Sequence, residues 1–429
     1  MRLAGRLSAA IDVLNDIYTG HNSAAAALHE WGRAHRFAGS GDRSAIGNLV
    51  YDALRQKSQL AARMGDDSPR ALVLGVASTL WEFSVTEIAT AAAEKFGPGA
   101  LTDAEQTALK TPLEAKQPAW VNGNFPQWLA PSYKAAFGDD AARQGEALSR
   151  RAPVDLRVNN LKTSQDELLA EFKKFEAIKG PLSPLCVRIP APHGQRRSPN
   201  VEIETAHGKG WFEVQDAASQ IVSLLAGAKP GDEVIDLCAG AGGKTLAMAA
   251  TMNNKGKIYA YDKDKRRLRP IFERIIRSGS NNVEVIPADQ PDQLEELTGT
   301  GDIVFLDAPC SGSGSWRRKP DGKWRLKPAT LDQRIKDQIA VLESGAKLVK
   351  SGGRLIYVTC SVLPEENTQQ VKTFLGQHRE FTLVPFAGVW ADNIDSEPPV
   401  SADGETSTLL LTPANHDTDG FFIAIMQKK

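Results

Sequence analysis

Val234-Ile235-Asp236-Leu237-Cys238-Ala239-Gly240-Ala241-Gly242-Gly243-Lys244-Thr245 reads as an apolar strand entering a glycine-rich turn, and Leu246-Ala247-Met248-Ala249-Ala250 then opens a helix. Strand, turn and helix in that order begin an open α/β sheet, and glycines in the turn let backbone amides approach a ligand at the helix N-terminus. Spacing separates the ligand classes that use such turns. A dinucleotide fingerprint starting at Gly240 would need its last glycine where Thr245 stands. A P-loop ending in Gly243-Lys244-Thr245 would need a glycine where Cys238 stands. What survives is a turn for a nucleoside ligand without a bound pyrophosphate, as S-adenosylmethionine would be.

Outward from this unit, further strands end in residues that carry chemistry. Lys257-Ile258-Tyr259-Ala260-Tyr261 leads to Asp262, placed where a carboxylate takes ribose hydroxyls, and Val283-Glu284-Val285-Ile286 leads to Asp289. Ile303-Val304-Phe305-Leu306 runs into Asp307-Ala308-Pro309-Cys310, and Leu355-Ile356-Tyr357-Val358 runs into Thr359-Cys360-Ser361. Ligands of open α/β sheets bind beyond the carboxyl ends of the strands, so two thiols on that rim are placed to react with one substrate. The plainer reading is a pair of inert buried thiols; with only four cysteines in the chain, two at one rim weigh against it.

Three blocks carry a family resemblance: Asp236 to Lys244, Asp307 to Gly314, and Tyr357-Val358-Thr359-Cys360-Ser361-Val362-Leu363-Pro364-Glu365-Glu366-Asn367. Phe212 to Gln220, Arg317 to Arg325 and Asp419-Gly420-Phe421-Phe422 add to them, in order, from about Trp128 to the C-terminus. The sequence resembles the RNA cytosine-5 methyltransferases, the family of the bacterial 16S ribosomal RNA methyltransferase B and the NOP2/Sun proteins. Ala241 stands where that family usually has proline, and Trp316 where it commonly has leucine.

The resemblance implies Cys360 as a nucleophile that adds to cytosine carbon 6, with Cys310 resolving the adduct. It implies Asp307 against the cytosine ring and Lys244 near the reaction centre, where its charge favours a thiolate. The implied cofactor site comprises Cys238, Ala239, Gly240, Ala241, Gly242, Gly243 and Lys244, with Asp262, Asp289 and Asp307. Cys186 reads as an inert strand residue. The implied substrate is RNA, foremost 16S ribosomal RNA. Transfer RNA stays open, as does a ribosome-assembly factor with little turnover. A redox protein is disfavoured by the 50-residue separation of the two thiols. In a DNA cytosine methyltransferase the Pro-Cys would be the nucleophile and the Thr-Cys surplus.

The 51 basic and 52 acidic side chains give a net charge of −1, so RNA must meet a local patch. Arg317, Arg318, Lys319, Lys323, Arg325 and Lys327 supply one, with Trp316 and Trp324 interleaved. Arg317, Arg318, Lys323, Trp324 and Arg325 are accordingly expected to bind RNA by charge and stacking. Lys263 to Arg269 reads as a solvated helix face, and Gln195-Arg196-Arg197 first as an ordinary loop and second as a phosphate contact. His193, His207 and His416 show no metal-ligand spacing, so no metal is expected. No apolar run has membrane length, and Asp12 and Asp16 interrupt what would be a signal-peptide core. A cytoplasmic monomer is expected.

Three regions follow. Residues 1–112 read as all-α, resembling the NusB-like domain that opens bacterial methyltransferase B, with Asp42 to Tyr51 as the best local match. A linker composition runs from about Leu101 to Pro131, collecting Pro112, Pro118, Pro126 and Pro131, and residues 113–226 go on to form a small α+β unit that by resemblance contacts RNA. Residues 227–429 form a Rossmann-like methyltransferase domain. Within it, Thr330 and Gln333 suggest a capping box opening a helix, with Gly352-Gly353 ending it before the Cys360 strand.

Overall fold

A computed structural model describes residues 1–20, 22–114, 116–192 and 194–429. His193, one of the histidines considered above, lies outside the described residues. The N-terminal third is helical, as its lack of strand alternation predicts. Helices Leu3–Gly20, Ser40–Arg55 and Pro69–Thr79 bury Leu7, Leu14, Ile46, Leu49, Leu72 and Val76 in one core. Thr102 and Glu105 form a capping box on helix Asp103–Lys110, which seats Leu109 in that core, so the expected linker begins as packed helix.

From Ala119 the chain changes allegiance. Phe125, Leu129 and Tyr133 pack against the C-terminal domain with Val304, Leu306 and Tyr357. A four-stranded antiparallel sheet follows: β1 Val154–Val158, β2 Ile178–Lys179, β3 Cys186–Ile189 and β4 Phe212–Val214, in the order β2-β3-β1-β4. Strand alternation gives it two faces. Leu156 and Val158 enter an apolar core, whereas Asp155 and Arg157 are buried as charges. Cys186 is completely buried, and burial pushes its thiol up, which fits an inert role.

The C-terminal sheet contains β5 Glu233–Asp236, β6 Lys257–Ala260, β7 Val283–Val285, β8 Gly301–Asp307, β9 Val349–Thr359, β10 Phe381–Val384, β11 Leu409–Leu411 and β12 Phe421–Lys428. Its order is β10-β12-β9-β8-β5-β6-β7, with β11 against β12. Strands β5 to β9 pair in parallel, and β12 runs antiparallel to β9. The chain winds outward from β5 through β6 to β7, then restarts at β8 on the other side. That reversal opens a crevice between the loops after β5 and β8.

Two helix boundaries depart from expectation. Helix Pro328–Leu348 starts two residues before Thr330, with Pro328 in its first turn, and Lys327 makes no side-chain cap. Proline's fixed φ suits that position and removes the need for the Thr330 cap. Gly352 and Gly353 lie inside β9 rather than at the helix end. Gly352 has φ +77°, and a Cβ on Gly353 would lie 2.7 Å from the Gly301 carbonyl, so the pair bends the strand where β8 and β9 shift register.

Candidate active site

The turn after β5 is set by its glycines and by carboxylates beneath it. Gly242 has φ +82°, and a Cβ there would sit 2.5 Å from Ile271. Asp262 is only 2 % exposed, and its Oδ2 accepts the Gly240 N–H at 3.0 Å. The carboxylate expected at the ribose therefore also fixes the turn's backbone. Under the turn, Asp236 accepts from the Thr245 hydroxyl at 2.6 Å, and its other oxygen has no partner among the described residues. Burial, reinforced by the charge of Asp307, pushes the Asp236 carboxyl up to about 7. Asp289 is exposed on the loop beyond β7, with Lys265 at 3.7 Å.

Small-sheet charges brace the same turn, which the sequence reading missed. Arg157 donates to the Gly243 carbonyl at 2.5 Å and to Gln215. Arg274 donates to the Ala241 carbonyl at 2.7 Å and pairs with Glu213 at 2.8 Å. Burial, with Arg274 nearby, lowers Arg157 to about 10. Glu213 and Gln215 lie in a block quoted above, but which turn they brace is a long-range fact.

Strands β8 and β9 run side by side in register, Asp307 opposite Val358, so their ends deliver both thiols to one point. Cys310 Sγ and Cys360 Sγ are 3.3 Å apart. That contact, then burial, raises the Cys310 thiol well above the ordinary range, with the Cys360 and Glu366 charges adding to it. Lys244 Nζ donates to Asp307 Oδ2 at 2.7 Å and lies 5.2 Å from the centroid of Phe421. Cys238 is partly accessible in the turn after β5, its thiol pushed up by burial and by Asp236.

A polar scaffold holds the thiol loops. Glu366 accepts from the Ser311 N–H at 2.8 Å and from Gln338 at 3.0 Å, while Gln338 also donates to the Pro309 carbonyl. Ser313 and Ser361 hydroxyls meet at 2.9 Å, and the Gly314 N–H donates to the Cys360 carbonyl. A Cβ on Gly314 would lie 2.0 Å from the Gly420 carbonyl, so that close crossing requires glycine. Glu366 and Ser311 stand in the thiol blocks, yet their pairing emerges only in space.

The expected RNA patch is used otherwise. Arg317 and Arg318 both engage Asp216, at 3.2 and 2.7 Å, and both pair with Asp419. Arg317 is 3 % exposed. Lys323 is 1 % exposed and donates to the Arg55 carbonyl at 3.0 Å and the Ser149 hydroxyl at 2.8 Å; burial, then Arg55, drives its pKa well down. Trp324 packs on the helical core and donates to the Leu54 carbonyl at 2.6 Å. Trp316 is buried in the catalytic core. Arg325 stays half-exposed beside Asp321. Arg325 aside, the patch is therefore an interdomain seam: the charges of Arg317, Arg318 and Lys323 meet carboxylates, a hydroxyl and a carbonyl remote in sequence.

Comparison with known proteins fits this architecture. Residues 223–427 match the model of the 16S rRNA methyltransferase RsmB/F family, and residues 125–194 match its ferredoxin-like domain. A probable ribosomal RNA small subunit methyltransferase B of Synechocystis is 33 % identical over 71 % of this chain and 67 % of its own length. Ribosomal RNA small subunit methyltransferase B of Yersinia enterocolitica is 34 % identical, with 71 % and 66 % covered. The chain thus spans about two thirds of these relatives' lengths. The crystal structure of PH0851 superposes with a TM-score of 0.73 and 26 % identity, covering 100 % of this chain and 99 % of that one. NSun6 from Pyrococcus horikoshii with SFG, at 24 % identity and a TM-score of 0.62 over 71 % of this chain and 98 % of that one, shares the fold. The chain belongs to the RsmB/F family of 16S ribosomal RNA methyltransferases, whose cofactor is S-adenosylmethionine.

Proposed function

We propose that the protein methylates carbon 5 of a cytosine in 16S ribosomal RNA, through a covalent adduct on Cys360. The observation that carries this reading is the pair of thiols 3.3 Å apart at the sheet rim, beside the Lys244–Asp307 pair. Carbon 5 of cytosine is a poor nucleophile. Addition of the Cys360 thiolate to carbon 6 makes carbon 5 enamine-like, able to take a methyl group. S-Adenosylmethionine supplies that methyl, held by the turn from Cys238 to Lys244 with Asp262, Asp289 and Asp307. Carbon 5 then loses its proton to solvent, with Cys310 assisting resolution of the adduct, and the Cys360–carbon 6 bond breaks, restoring the ring double bond and the thiolate. Asp307 steadies the cytosine ring, and Lys244 favours the charged thiol. Cys310's raised thiol stays protonated and so does not compete with Cys360 for carbon 6.

The relatives' names support ribosomal RNA as substrate. We read the helical region as NusB-like and the protein as a monomer of the cytoplasm. The test is transfer of tritiated methyl groups to protein-free 16S ribosomal RNA, followed by bisulfite sequencing. Wild type should create a conversion-resistant cytosine, and Cys360→Ala should not, with its cofactor affinity nearly unchanged. Activity of Cys360→Ala within about tenfold of wild type contradicts the assignment, since losing the attacking atom removes the covalent route.

A further inference from the structure

With a net charge of −1 and the cations of the 317–325 segment largely committed to internal partners, RNA phosphates must be met elsewhere. A cleft of about 670 Å³ lies where the helical domain meets the loop after β3, lined by Arg36, Arg43 and Arg197 with Asn48 and Tyr51. No carboxylate lines it among the described residues, and the three arginines are exposed. Arg43 donates to the Ala38 carbonyl at 2.9 Å, which leaves the remaining guanidinium donors available. The loop carrying Arg197 is tied to the helical domain. Asn48 donates to the carbonyls of Gln195 and Arg196 at 3.3 and 3.1 Å, and Arg6 donates to Gln195 at 3.3 Å.

This cleft is not a closed cup. Asn48 and Tyr51 also line a second compartment of about 230 Å³, which extends past Arg55 and Arg151 to Arg317 and Arg318. The two compartments thus share a wall, and the second is lined by Arg317 and Arg318 of the segment that follows Cys310. A bound small anion would need one cup of donors; exposed guanidiniums spread along an open cleft match a chain of phosphates.

We propose that the RNA strand enters along this seam, with Arg36, Arg43 and Arg197 holding its phosphates and the Tyr51 ring offering a face to a base. Guanidiniums suit phosphates because they donate two parallel hydrogen bonds. This inference rests on the RNA-substrate reading above.

The test is a salt titration of the full-length protein with a fluorescein-labelled, cytosine-containing single-stranded RNA of about 20 nucleotides. Each phosphate contact on a single strand contributes about 0.7 to the slope of log affinity against log salt. Arg36→Gln/Arg43→Gln/Arg197→Gln should lower the slope by about 2 and weaken binding at least about tenfold near physiological salt, with cofactor affinity intact. Arg36→Gln/Arg197→Gln, which spares the Arg43–Ala38 bond, should lower it by about 1.4. Lysine at the three positions should restore most of the slope. If wild type binds RNA and both glutamine variants keep its slope, the seam proposal is overturned while the RNA reading stands. If wild type binds polyglutamate as tightly as RNA, the seam is an acidic-peptide site and the proposal fails. If wild type binds no RNA, the substrate reading fails with it.

Discussion

Asp307 to Gly314 and Trp316 to Arg325 adjoin in sequence, and each reads as functional, the first as chemistry and the second as an RNA patch. The first forms a strand-end loop whose thiol meets the other strand's thiol. The second turns inward, its arginines clamped between Asp216 and Asp419 and its Lys323 and Trp324 anchored on the end of helix Ser40–Arg55. The difference lies in how each function is encoded. A strand end is a local property, since an apolar run fixes where the strand stops and a parallel sheet fixes what its end faces. What a charge is for depends on its partner, and these partners lie about a hundred residues or more away along the chain.

The sharpest way to break this comparison is to remove a carboxylate from the clamp. Asp419→Ala should destabilise the protein by about 3–5 kcal/mol, because it leaves Arg317 and Arg318 to share the single carboxylate of Asp216. The same substitution in an RNA-facing patch would cost almost nothing. Denaturant unfolding decides, and a loss below about 1 kcal/mol would return the arginines to the surface.

Asp236, beneath the glycine turn after β5, offers a pH-resolved test. Its carboxyl titrates near 7 in the folded protein, above its ordinary value of 3.8. A raised folded-state pKa favours the folded state most below the unfolded pKa, and this contribution is lost as pH rises through 7. The stability of Asp236→Asn relative to wild type should therefore improve by roughly 4 kcal/mol between pH 4 and pH 8. A flat difference across that range would mean that Asp236 is ionised throughout.

Asp262→Ala should weaken S-adenosylmethionine binding by about 1.5–3 kcal/mol, the worth of hydrogen bonds to a charged group. Isothermal titration reads the loss, and an unchanged affinity would confine Asp262 to its bond with Gly240 in the free protein. At the small end, Arg325→Ala should change stability by less than about 1 kcal/mol, since its pair with Asp321 is half-exposed. A large effect there would show that the whole segment, exposed end included, is structural.

Much of the sheet was legible because Val234-Ile235, Ile303 to Leu306 and Leu355 to Val358 are buried apolar runs beside diagnostic turns. Leu409–Leu411 lacked such a turn and escaped notice, though it pairs with β12. Gly352-Gly353 misled as a helix stop because a glycine pair serves equally to bend a strand. Asp262 was expected at a ligand, and its bond to Gly240 could not be read from a strand-end position alone. The bracing of the glycine turn after β5 by Arg157 and Arg274 was illegible for the same reason as the arginine clamp: both join elements distant in sequence.

The division of labour between the thiols is the central claim, and trapping the covalent intermediate tests it most directly. Cytosine-containing ribosomal RNA is incubated with S-adenosylmethionine and each variant, then separated on a denaturing gel. Cys310→Ala should accumulate a protein–RNA adduct, because attack proceeds while release is blocked. Cys360→Ala and the double variant should show none. An adduct trapped by Cys360→Ala and absent from Cys310→Ala would exchange the two roles and contradict the account.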